Sequence, residues 1–131
     1  MLRIASIGEC MIELSETAGT TEAAGTPGAM RRTFGGDTLN TAVYLARSLA
    51  QEGSAAAVHY VTALGDDPFS AEMLKSWEAE GLETDRVFRL PDRLPGLYVI
   101  RTDAAGERSF YYWRSAAAAR DMLRDGRAES L

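Results

Sequence analysis

Between Asp37 and Glu52 the apolar residues Leu39, Ala42, Val43, Ala46, Leu49 and Ala50 recur at three- and four-residue steps. That spacing puts them on one side of a helix. Asp37 or Thr38 fits its N-cap, and Gly53 its stop. Upstream, Ile4–Ile7 is a short, mostly apolar run closed by Gly8, the pattern of a buried strand. Cys10–Leu14 is apolar except at Glu13 and reads as a second short strand. Glu16–Gly28, rich in Thr, Ala and Gly, is expected to be a mobile loop. Downstream, Ala57–Leu64 is mostly apolar or aromatic and predicts a strand. Asp67 then suits an N-cap and Pro68 a first helical turn, with Phe69, Met73, Leu74 and Trp77 as the buried stripe and Gly81 as the end.

Strand, helix, strand, helix in this order predicts a parallel α/β sheet with crossover helices. The pattern then changes. Leu97–Thr102 and Arg108–Arg114 read as two strands of a hairpin turning at Gly106. Ser115–Arg124 predicts a further helix capped by Ser115, and the last seven residues show no organised element.

Composition narrows the class. The chain has 131 residues, one domain or part of one, with 25% charged and 46% hydrophobic residues, as in a folded soluble protein. A net charge of −5 and a pI near 4.9 argue against nucleic acid as a partner, since phosphate binding needs a basic surface. A lone cysteine, Cys10, rules out an internal disulfide and fits a reducing compartment. No run reaches the roughly 20 apolar residues of a membrane span. Glu9 and Glu13 interrupt the apolar N-terminus, which therefore lacks a signal-peptide core. The expected location is cytoplasmic, with no membrane partner.

Several chemistries find no motif. There is no P-loop, no G-x-G-x-x-G and no Cys/His cluster, so no zinc site is expected and no metal-ligating residue stands out. His59 and Cys10 lie in strand-like runs and read as packing residues. Two constellations stand out. The first is Gly35-Gly36-Asp37-Thr38-x-Asn40 at a helix start. Glycines allow close backbone approach, and free helix-start amides favour hydroxyls and anions. An ordinary turn with an N-cap explains the same pattern equally well. The second is the hairpin, dense in aromatics and arginines. Residues two apart share a strand face, so Tyr112 and Arg114 point together, and Tyr98 on the other strand can join them. Tyr hydroxyls and an Arg fork suit a small hydroxylated carboxylate. Aromatics buried against a partner or the body of the domain are the other explanation.

Taken together, Ile4–Glu9, Gly35–Ala42 and Gly65–Phe69 resemble the ribokinase-like (PfkB) family of carbohydrate kinases over nearly the whole chain. Within the family, "GGDTLNTAVYLAR" and "GERSFYYWRSAAAAR" are most similar to the subgroup that acts on 2-keto-3-deoxygluconate. The resemblance implies a Rossmann-type α/β sandwich with a small β-sheet lid. Residues 1–131 would be the N-terminal part of one such domain, with lid segments near 10–14, 30–34 and 97–114. Gly35, Gly36, Asp37, Thr38, Leu39 and Asn40 would cradle the substrate. Tyr98, Tyr112 and Arg114 would reach it from the lid, Arg114 toward its carboxylate. Trp113 would touch it through its backbone alone. The implied reaction moves the γ-phosphoryl group of ATP, with Mg²⁺, to a sugar acid, and the lid implies a homo-oligomer.

One departure matters. The family's catalytic aspartate sits in a Gly-x-Gly-Asp motif, and no such motif occurs in these 131 residues. The resemblance implies that this aspartate, and the ATP site beside it, would lie beyond Leu131. The chain is therefore expected to bind substrate without a catalytic residue of its own, as a truncated kinase or one completed by another polypeptide. A fructokinase- or ribokinase-type specificity, or a non-catalytic sugar-binding or dimerising module, are the alternatives.

Overall fold

The structure, a computed structural model, describes residues 1–16 and 28–131. The expected mobile loop of Glu16–Gly28 lies, apart from its two ends, outside the described residues. In chain order the elements are β1 (Leu2–Ile7), β2 (Met11–Glu16), β3 (Met30–Gly35), α1 (Asp37–Gln51), β4 (Ala56–Leu64), α2 (Pro68–Ala79), β5 (Val87–Arg89), β6 (Leu97–Thr102) and β7 (Arg108–Trp113). Among the described residues they form two sheets. One is parallel, in the order β1-β4-β5; the other is mixed, in the order β3-β2-β6-β7.

β4 organises the first sheet. Every residue from Val58 to Leu64 is buried, as expected of a central parallel strand covered on both faces. Val58, Tyr60 and Leu64 point to one face and form the core with Leu39 and Ala42 of α1 and Met73 and Trp77 of α2. The Tyr60 and Trp77 rings meet edge-on with centroids 5.0 Å apart. On α1 the buried stripe is shifted slightly from the predicted one: Leu45 packs on the core and Ala50 is exposed.

The second helix starts as predicted. The Asp67 side chain accepts hydrogen bonds from the Ser70 amide at 2.9 Å and the Ser70 hydroxyl at 2.7 Å, and Pro68 opens the first turn. Phe69, predicted to be buried, is exposed and lies under the Arg32 guanidinium, 4.9 Å from ring centroid to Cζ. Ser70 is buried in its place and accepts a hydrogen bond from Gly65 N. Replacing Asp67 by alanine removes this cap and is expected to lower stability by about 1 kcal/mol. Urea denaturation checks this, and an unchanged midpoint would contradict the capping role.

Two predictions fail for reasons of tertiary context. No α-helix forms over Ser115–Arg124; only Ala118–Asp121 make a 3₁₀ turn. Ala117 is extended and bridges Leu94, and the Ala118 amide donates to the Leu94 carbonyl at 2.9 Å. Ala117, Ala118 and Ala119 are buried, so docking overrides the helix propensity of the alanine run. The final residues are not wholly unorganised either. Arg127–Ser130 form a second 3₁₀ turn, and the Arg86 guanidinium donates to the Ser130 carbonyl at 2.6 Å and to Leu131 O at 2.9 Å. The short strand β5 was not foreseen; three residues between Arg86 and Leu90 carry too little periodicity. No described helix is long and apolar enough to cross a membrane.

Candidate functional site

β3 of the mixed sheet leads through Gly36 into α1, which packs on β4 of the parallel sheet. The N-cap of α1 is Gly36, with no side-chain cap, so neither Asp37 nor Thr38 takes the predicted capping role. Thr38 instead turns inward. Its hydroxyl lies 3.0 Å from the Tyr60 hydroxyl, and its carbonyl accepts from Ser6 Oγ at 2.9 Å. The first amides of α1 are thus left without an intrahelical or side-chain acceptor. The glycine pair is explained by space. A Cβ on Gly36 would overlap the backbone carbonyl of Glu9, and one on Gly35 would overlap the Tyr98 hydroxyl.

Strand register builds the opposite wall. Glu13 of β2 pairs with Tyr98 of β6, and Tyr98 with Tyr112 of β7, so the three side chains form a row on one sheet face. The Tyr98 hydroxyl donates to the Glu13 carboxylate. The Tyr98 and Tyr112 rings stack with centroids 5.8 Å apart, and Phe110 extends the stack at 6.4 Å from Tyr98. The next row, Ile12, Leu97 and Trp113, points to the other face.

Between this wall and the start of α1 lies a cavity of about 430 Å³. Gly35, Gly36, Asp37, Thr38 and Asn40 form its floor, and Tyr98, Phe110, Tyr112 and Arg114 its roof. Glu9, Met11, Glu13 and Phe34 close the side. Arg114 follows β7 and sets its Nε 3.0 Å from Glu9 Oε1. It is the cation lining this cavity among the described residues, facing Glu9, Glu13 and Asp37. Burial raises the Glu9 pKa, partly offset by the positive charges of Arg114 and Arg120. Burial, and then the bond to Glu13, raise that of Tyr98. Burial pushes the Cys10 thiol up to about 12, which leaves it a protonated packing residue at neutral pH.

Of the residues singled out from the sequence as substrate contacts, Leu39 and Trp113 do not line the cavity. Leu39 is buried in the core beneath the floor. Trp113 lines a separate apolar cavity of about 760 Å³ with Ile12, Phe69 and Leu94. Asn40, the last of the floor residues, is exposed. His59 lies away from the site, its Nδ1 2.7 Å from Asp85 Oδ1. Leu131, the residue beyond which the catalytic aspartate was expected, does not line the site cavity either. It borders another cavity, of about 250 Å³, with Arg3, His59 and Arg86. Sequence reasoning missed Glu9, Met11, Glu13, Phe34 and Phe110. The isolated charge of Glu13 in an apolar strand, and the two-residue offset of Phe110 from Tyr112, were the available signals.

The family description "pfkB family carbohydrate kinase" matches residues 1–128. A 2-dehydro-3-deoxygluconokinase of Dickeya dadantii is 54% identical over 128 residues, and one of Escherichia coli strain K12 is 50% identical over 129. Each alignment covers 98% of this chain and 38% of the relative, so the chain spans well under half the length of these proteins. Among solved structures, a fructokinase from Xylella fastidiosa superposes with a TM-score of 0.74 at 32% identity, covering 89% of this chain and 34% of that one. The same fructokinase with bound ATP gives 0.72 at 31%, over the same shares.

Proposed function

The chain belongs to the pfkB family of carbohydrate kinases, and from that premise we propose that it holds the sugar acid in a 2-keto-3-deoxygluconate kinase. The observation that carries this is Arg114, set in the cavity roof opposite a glycine-lined helix start. A guanidinium fork suits a carboxylate, and free helix-start amides suit hydroxyls. The stacked Tyr98 and Tyr112 supply hydroxyls and flat apolar faces for the sugar carbons. The kinases named for this substrate in D. dadantii and E. coli support the same assignment.

The reaction would transfer the γ-phosphoryl group of ATP to the terminal hydroxyl of the sugar acid, giving its 6-phosphate. Such transfer depends mainly on positioning and charge stabilisation. These residues contribute positioning: the floor and Arg114 fix the two ends of the substrate. The four-stranded sheet acts as a lid that keeps water from the reacting hydroxyl. No catalytic residue is assigned among the 131, and no Gly-x-Gly-Asp occurs between Met1 and Leu131. ATP, bound in the fructokinase neighbour, supplies the phosphoryl group. Mg²⁺ is assigned no ligands, because no described group of three or more His, Cys, Asp or Glu could hold a metal ion, and no step is routed through it. A cytoplasmic setting and a homo-oligomer formed through the exposed strand β7 belong to the same proposal.

A neutral-sugar specificity is the second reading, favoured by the fructokinase neighbour. Calorimetric titration of the 131-residue chain, paired with a coupled ATP-consumption assay, tests the assignment. Saturable binding of 2-keto-3-deoxygluconate without turnover is expected. Turnover by this chain alone would contradict a purely substrate-holding role. Binding of fructose in preference to the acid would favour the second reading.

A further inference from the structure

Glu9 is the feature of the cavity that holding a sugar acid does not by itself require. Its side chain is 12% exposed, and both carboxylate oxygens are buried with no hydrogen-bond partner. Its close charged neighbour is Arg114, whose Nε lies 3.0 Å from Oε1. Gly96 leaves little room beside it: a Cβ there would sit 3.0 Å from Oε2. With both oxygens shielded from solvent, the carboxylate is poorly solvated if its counter-ion is taken away.

We infer that Glu9 is the built-in anion of the site: it pairs with Arg114 while no ligand is bound, and takes up one proton from solvent when a ligand carboxylate engages Arg114. The inference rests on the proposed binding of a sugar acid at Arg114. Arg114 carries one positive charge. A ligand carboxylate would be a second anion on the same guanidinium, in a cavity that also contains Glu13 and Asp37. A buried carboxylate that loses its counter-ion is neutralised by protonation rather than left charged.

The groups facing Glu9 agree on the sign. Arg114 beyond β7 and Arg120 in the 3₁₀ turn favour its charged form, against burial. Tyr60 on β4 and the adjacent Cys10 feel its charge, and both stay neutral near pH 7. Glu13 and Tyr98 from β2 and β6, Tyr112 on β7 and Asp37 at the start of α1 line the same cavity and add no positive charge at neutral pH. Engaging Arg114 removes the larger favourable influence, so the pKa of Glu9 rises on binding. The bound state then holds more protons than the free state, and affinity falls as pH rises between the free and bound values. That window lies above the ordinary carboxylate range, because burial already raises the free value.

The test is calorimetric titration of the chain with 2-keto-3-deoxygluconate in two buffers of different ionisation enthalpy, between about pH 5 and pH 8. Uptake of up to one proton per ligand is expected, with affinity falling up to about tenfold per pH unit inside the window. E9Q is expected to bind the acid with no linked proton and a flat pH profile. Fructose, if it binds, should take up none. Binding of the acid with no buffer dependence anywhere in the range overturns the role of Glu9 and leaves the sugar-acid assignment standing. No binding of the acid at any pH overturns both. The buffer comparison on the unmodified chain decides the matter even if E9Q does not fold.

Discussion

Replacing Arg114 by alanine is expected to weaken binding of 2-keto-3-deoxygluconate by about 1.5–3 kcal/mol, the range for a hydrogen bond to a charged group. That corresponds to roughly 10- to 150-fold in the dissociation constant. The side chain is 53% exposed, so the lower half of the range is expected. A neutral sugar such as fructose should change by no more than about threefold, because it presents no anion for the guanidinium. The substitution also takes the nearer positive charge away from the buried Glu9, so the Glu9 pKa is expected to rise further. Arg114→Lys should recover only part of the loss, since an ammonium keeps the charge but not the planar fork. Parallel titrations of the three chains with both ligands make the check. An equal loss for acid and neutral sugar would show that Arg114 acts by packing on Tyr112, 6.0 Å away, and not by reading a carboxylate.

Trp77→Ala is expected to cost about 3–5 kcal/mol of stability, as for other buried large aromatics. Trp77 is 1% exposed and is among the largest fully buried side chains described. A typical domain has only about 5–15 kcal/mol in total. The effect reaches the site as well. Trp77 packs edge-on against Tyr60, and the Tyr60 hydroxyl lies 3.0 Å from that of Thr38 in the cavity floor. Loosening Tyr60 should therefore weaken ligand binding in whatever fraction stays folded. Trp77→Phe should cost much less. It keeps an aromatic ring against Tyr60 and deletes an indole N–H that is buried without an acceptor. Urea denaturation followed by far-UV circular dichroism measures both. A loss under about 1 kcal/mol for the alanine variant would mean that α2 contributes little to this core.

The fold was legible wherever periodicity is strong. The apolar run of β4, the three-and-four spacing of α1 and the Asp67-Pro68 start of α2 each have one physical solution, and the structure adopts it. The hairpin was equally plain, with Gly106 at a φ of 83° in its turn. Sequence reasoning failed where distant partners decide. The alanine run at 116–119 favours a helix locally, but Leu94 claims its backbone from more than twenty residues away. Phe69 fits a buried stripe by spacing, yet Arg32, on β3, offers its exposed face a cationic partner.

The same division holds for the site. Gly35, Gly36, Asp37, Thr38 and Asn40 are near neighbours in sequence, and Tyr112 and Arg114 are two apart at the end of β7 and just beyond it, so their grouping could be read directly. Glu9 and Glu13 could not. Glu13 joins the cavity because β2 pairs with β6 and places it beside Tyr98, eighty-five residues away, and Glu9, just before β2, meets Arg114 from beyond β7. Leu39 shows the converse: a residue inside a motif can turn its side chain away from the cavity.

The most direct test is a crystal structure of the chain with 2-keto-3-deoxygluconate bound. The expected result places the ligand carboxylate on the Arg114 guanidinium at about 2.8 Å, with hydroxyls toward the amides at the start of α1 and the carbon chain against Tyr98 and Tyr112. A ligand seated elsewhere, or one in this cavity with its carboxylate turned away from Arg114, would contradict the account.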